Sequence, residues 1–293
     1  MHLKRGFWAG ILCVVGSIPS LDGQTAYRPY AILGPARTSE TMARSERLQA
    51  ILWEGWKLGA AEAAQLEMQL SNDLENLPAR LRLISYYTQF LHEDLRTRHI
   101  LWLIENHPEA DAFQDATTLF RLGNQSSEYA HVKALWQQQA SRFPNNSKVL
   151  ASAATALSGE PEIALQLIQA LRTVDPRNME WVRWLAKTYA NAIRWTFWDG
   201  KSMLTFTGGP EDYRHPPIQL PLPVCESARR EVETSADAIL VRATGEALLR
   251  EVRLLREWSS RDKSASFVTP ELQQVHDFGE MLAARARMLD QNK

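Results

Sequence analysis

The chain has 293 residues, 45% of them hydrophobic and 23% charged, and a formal net charge of −1. This length and composition suffice for one large or two ordinary folded domains and argue against wholesale disorder. The near-neutral balance excludes a strong overall attraction to nucleic acid or anionic lipid.

The amino terminus has the three-part form of a secretory signal. Lys4 and Arg5 precede a charge-free apolar run from Gly6 to Pro19, and Ser17, Ser20 and Gly23 are small residues suited to cleavage. The run is 14 residues long, short of the roughly 20 needed to span a bilayer as a helix. Residues 1–23 are therefore expected to be a signal peptide directing the chain to the periplasm or the exterior, with an uncleaved anchor as the alternative. Its removal leaves Cys225 as the sole cysteine, so no disulfide forms within the mature chain. Residues 24–38, interrupted by Pro29, Gly34 and Pro35, are expected to be an extended lead-in.

From Ser39 the pattern is helical. Met42, Leu48, Ile51, Leu52 and Leu58 form an apolar stripe with Trp53 and Trp56 beside it. Gly59 ends or bends that helix, and Ala60 to Leu70 continues with Ala64, Leu66 and Leu70. Asn72-Asp73 is turn-like, and Pro78 suits the start of the next helix. Three units then close alike, at Asn106-His107-Pro108, Arg142-Phe143-Pro144 and Val174-Asp175-Pro176. Their prolines lie 36 and 32 residues apart. Apolar residues three or four apart mark the second helix of each unit: Ile100, Leu101 and Ile104; Val132, Leu135 and Trp136; Ala164, Leu167, Ile168 and Leu171. One such pair is too thin to bury its own stripe, so neighbours must stack.

The span from about Asn76 to Asn191 resembles the tetratricopeptide repeat family, whose period is about 34 residues. The leucine–small–x–x–tyrosine segment is best matched by Leu185-Ala186-Lys187-Thr188-Tyr189. Phe113 to Leu122 lacks that signature, and Gly159-Glu160-Pro161 makes the third unit's internal turn short. The resemblance implies an all-α, right-handed solenoid of about four to five helix pairs over residues 39–198. An irregular helical bundle is the alternative.

Residues 199–224 hold five prolines and three glycines without helical periodicity, and are expected to form a long loop across the stack. Helix resumes at about Glu226 and runs toward Trp258, with Gly245 a soft point; Ser260 to Phe267 is a polar link. Thr269-Pro270-Glu271 opens a last helix. Residues 225–293 are expected to complete or cap the stack.

No HExxH, CxxC, phosphate-cradling glycine loop or GxSxG elbow occurs. His92 and His99, seven apart, are expected on an exposed helix face, and Cys225 in the interior. No catalytic residue, metal or cofactor is expected. Trp181, Trp184, Trp195 and Trp198 suit packing between stacked helices better than a stacking platform. Arg183 and Lys187, four apart, share a helix face; by resemblance to tetratricopeptide grooves they could grip a partner. The candidate partner-binding residues are thus Arg183, Lys187, Tyr87, Trp181 and Trp184. The expected function is a non-catalytic exported scaffold for a protein or peptide. The alternative is an envelope polysaccharide- or peptidoglycan-binding protein using the tryptophans and the 199–224 loop.

Overall fold

The computed structural model describes residues 39–115, 128–197, 220–261 and 270–291, all of which fall in one contact unit, Gly34–Lys293. The signal-like segment, the lead-in, most of the 199–224 loop and Trp198 lie outside the described residues.

Among the described residues every regular element is an α-helix. In chain order they are α1 (Ser39–Trp56), α2 (Ala60–Asn72), α3 (Leu77–Gln89), α4 (Glu93–Asn106), α5 (Ala112–Asp115) and α6 (Tyr129–Arg142). There follow α7 (Ser147–Ala156), α8 (Pro161–Val174), α9 (Met179–Thr196), α10 (Leu222–Thr234), α11 (Ala238–Arg261) and α12 (Pro270–Gln291). No described helix is long and apolar enough to cross a membrane.

One turn recurs between these helices. α2, α4, α6 and α8 end on the capping residues Asp73, His107, Phe143 and Asp175, at intervals of 34, 36 and 32 residues. Each cap's N–H donates to the carbonyl four residues back, and its own carbonyl accepts from the N–H three residues ahead, at Asn76, Ala110, Asn146 and Asn178. In three of the four turns that last residue is an asparagine whose side chain caps the next helix. Asn76 accepts from the Ala79 N–H, Asn146 from Lys148 and Val149, and Asn178 from Glu180. A proline after the cap stops the outgoing helix, and a side-chain oxygen satisfies the first free N–H groups of the incoming one. Asp73 makes the same turn without a proline, which is why this junction carries less signal in the sequence.

Packing follows chain order. α3 lies against α1, α2 and α4; α4 meets α6; α7 lies between α6 and α8; α9 meets α8, α10 and α11; and α11 meets α10 and α12. Nearly all principal contacts join helices one or two apart, an arrangement compatible with a helical repeat. The main core runs from Leu48 and Leu52 of α1 through Ile100, Trp136, Leu150 and Ile168 to Leu282 and Ala286 of α12. A smaller cluster, including Leu66, Leu70, Leu83 and Tyr87, joins α2 to α3.

Gly55 lets α1 come close to α3: a Cβ there would lie 2.3 Å from the Arg82 carbonyl oxygen. Gly59 is the N-cap of α2, and its N–H donates to Glu62 Oε2 at 2.7 Å. Trp53 and Trp56, beside the buried stripe of α1, are exposed.

The structure corrects the expectation of one helix from Glu226 to Trp258. Helix begins at Leu222 and breaks at Ser235-Ala236-Asp237. Asp237 Oδ1 accepts from the N–H groups of Ile239 and Leu240 at 3.0 and 3.2 Å, and Ser235 Oγ accepts from the Asp237 N–H at 3.1 Å. These are N-cap bonds that start a new helix, and an apolar stripe spanning the break conceals them. Gly245 is no soft point either. A Cβ there would lie 3.0 Å from the Gly279 carbonyl, so the paired glycines let α11 and α12 cross closely.

Candidate functional site

α9 carries four of the five proposed partner-binding residues. Asn178 caps its start, and Trp181, Val182, Leu185 and Tyr189 turn one stripe inward. Arg183 lies on the exposed side and Lys187 is half-buried. Trp181 and Trp184 are core residues, 5% and 1% exposed, with ring centroids 6.5 Å apart. Trp195 is half-buried against the same core. A stacking platform must present an open ring face, and Trp181 and Trp184 present none to a ligand. Their place is to fill the space between helices beneath Arg183 and Lys187.

Tyr87, the fifth, is also interior, and belongs to a polar clasp joining α2, α3 and α4. The Tyr87 hydroxyl donates to Glu67 Oε1 at 2.7 Å, Arg98 donates to the same oxygen at 2.8 Å, and His99 Nε2 lies 3.0 Å from it. Arg80 Nη1 donates to His99 Nδ1 at 3.2 Å, and Nη2 donates to the Leu74 carbonyl at 2.9 Å. With Nδ1 accepting, the ring carries its proton on Nε2 and donates it to Glu67. The Tyr87 and His99 rings stack at 5.8 Å, and the Arg80 guanidinium lies 3.6 Å from the Trp102 ring centre.

His99 is 2% exposed, which overturns the expectation of a surface histidine; His92 is exposed. Burial holds the His99 imidazole below its ordinary pKa, against the opposing pull of Glu67. Burial raises the Glu67 carboxyl, but hydrogen bonds from Tyr87 and His99 and the charge of Arg98 outweigh it and leave it below the usual value. Burial also pushes the Tyr87 hydroxyl up, reinforced by Glu67. The clasp therefore rests as carboxylate, neutral imidazole and neutral phenol, a set that binds helices together. Sequence could flag the polar residues, but their convergence depends on three helices meeting.

A concavity of about 620 Å³ at the α6–α7 turn is lined by Arg142 through Lys148. A second, of about 240 Å³, lies between α11 and α12. Neither includes a member of the clasp or of the α9 group. Among the described residues no cluster of three or more His, Cys, Asp or Glu is arranged to hold a metal ion. Cys225 is buried and its thiol donates to the Leu220 carbonyl at 3.3 Å; burial pushes its pKa up, which opposes the thiolate.

No protein-family profile matches the chain, and neither the curated proteins nor the solved structures contain a significant match.

Proposed function

We propose that the chain is an exported, non-catalytic scaffold: a right-handed, tetratricopeptide-like solenoid of about four to five helix pairs holding a protein or peptide partner. The observation that carries this reading is the turn repeated at Asp73, His107, Phe143 and Asp175. A near-constant interval with the same capping chemistry is what a stack of helical hairpins requires, and such stacks offer a preformed surface that costs little ordering on binding. Arg183 and Lys187, one turn apart over a rigid aromatic floor, are the proposed gripping charges. Trp181 and Trp184 support that surface from beneath, whereas Tyr87 belongs to the clasp of α2, α3 and α4.

The test is affinity capture from native envelope extract with the wild-type chain and with Arg183→Glu combined with Lys187→Glu. The double variant should keep its helical circular dichroism and melting point but lose the captured partner. Undiminished capture would remove both residues from the site.

A further inference from the structure

The groove between α11 and α12 holds two charges, Arg253 and Glu280, that the fold does not use. The two helices run antiparallel: Arg256 Nη2 donates to Gln273 Oε1 at 3.1 Å near one end, and Arg242 pairs with Asp290 toward the other. Between these, the crossing at Gly245 and Gly279 draws the backbones together. Beyond the crossing lies a cavity of about 240 Å³, lined by Leu249, Val252, Arg253, Arg256, His276 and Glu280. Leu249, Arg253 and Arg256 recur at helical spacing along one face of α11, as His276 and Glu280 do on α12. Val252 is buried beneath and Leu249 is half-buried, so the hydrocarbon that the floor offers is Leu249.

Arg253 and Glu280 line this one cavity, yet among the described residues neither makes an ion pair or a side-chain hydrogen bond. Here they stand across a space, with Arg256 beside one and His276 beside the other. Two guanidiniums suit a carboxylate, which they hold with planar, charge-assisted bonds, and a carboxylate suits an ammonium group. The aliphatic floor suits a branched hydrocarbon side chain.

We infer that this groove binds a free aliphatic α-amino acid. Its carboxylate lies toward Arg253 and Arg256, its ammonium group toward Glu280, and its side chain on Leu249. The site is separate from the partner surface proposed on α9.

Isothermal titration with L-leucine, N-acetyl-L-leucine and L-leucinamide tests this on the full chain. Leucine should bind, and capping either end should weaken it at least about tenfold, because each cap removes one charge-assisted contact. Arg253→Gln should abolish the preference for the free carboxylate, and Glu280→Gln the preference for the free amine. Both positions are exposed, so both variants should melt with the wild type. Absence of leucine binding to the folded wild-type chain would overturn the inference. Equal binding of a capped ligand would do the same, since the groove would then not recognise both ends.

Discussion

Leu91 holds a left-handed backbone, with φ of 57°, just after the Phe90 cap of α3. The next N–H, of His92, donates back to the Tyr87 carbonyl at 3.0 Å, closing a turn that normally places glycine at this position. Leu91 is 63% exposed, so packing returns little for the strain. Leu91→Gly is expected to stabilise the chain by about 1 kcal/mol, read as a higher urea midpoint; a lower midpoint would show that the exposed side chain contributes after all. Gly55 has the opposite sign. Alanine ordinarily strengthens a helix, but its methyl here would press on the Arg82 backbone. Gly55→Ala is expected to cost about 2 kcal/mol, and an unchanged midpoint would mean that α1 shifts freely. His99 sets a pH dependence. Its folded pKa lies below the ordinary 6.5, so its contribution is present above that value and is lost as pH falls through the folded one. Glu67, held below its ordinary 4.5, adds a second loss at lower pH. The melting point should fall in two stages on acidification, and His99→Gln should flatten the upper stage.

At the scale of elements, helix ends decide where the chain turns. Asn146 satisfies two N–H groups of α7 with one oxygen, so Asn146→Ala should cost about 1 kcal/mol, measured by thermal unfolding. These ends were legible because proline and asparagine act on the neighbouring three or four residues. Asp237 was not, because the apolar stripe continues through the break and masks the cap. The joint between α9 and α11 was illegible for a different reason. Arg194, interior on α9, pairs with Glu251 on α11 and with Asn191 Oδ1 at 3.0 Å. Arg194→Met is expected to destabilise by about 3 kcal/mol by removing the guanidinium that faces a shielded carboxylate, and adding Glu251→Leu should recover most of it. A double variant no better than the single would mean that the contacts of the pair, not the desolvation of the carboxylate, decide the stability of the joint.

Across the whole molecule, stability should follow how many neighbours each helix has. α2 meets chiefly α3, whereas α9 meets α8, α10 and α11. Amide hydrogen exchange should therefore release α2 well before α9; simultaneous exchange would indicate one fully cooperative unit. The sequence by itself determined the helical class, the period near 34 residues and the inward stripe of α9, because capping, proline and three-to-four spacing are local forces. Only the tertiary structure decided which polar residues lie inside. Glu67 and His99 are 32 residues apart in sequence, and Arg194 and Glu251 are 57. A buried charge is tolerated when its partner arrives from another helix, and nothing in the local pattern records that arrival.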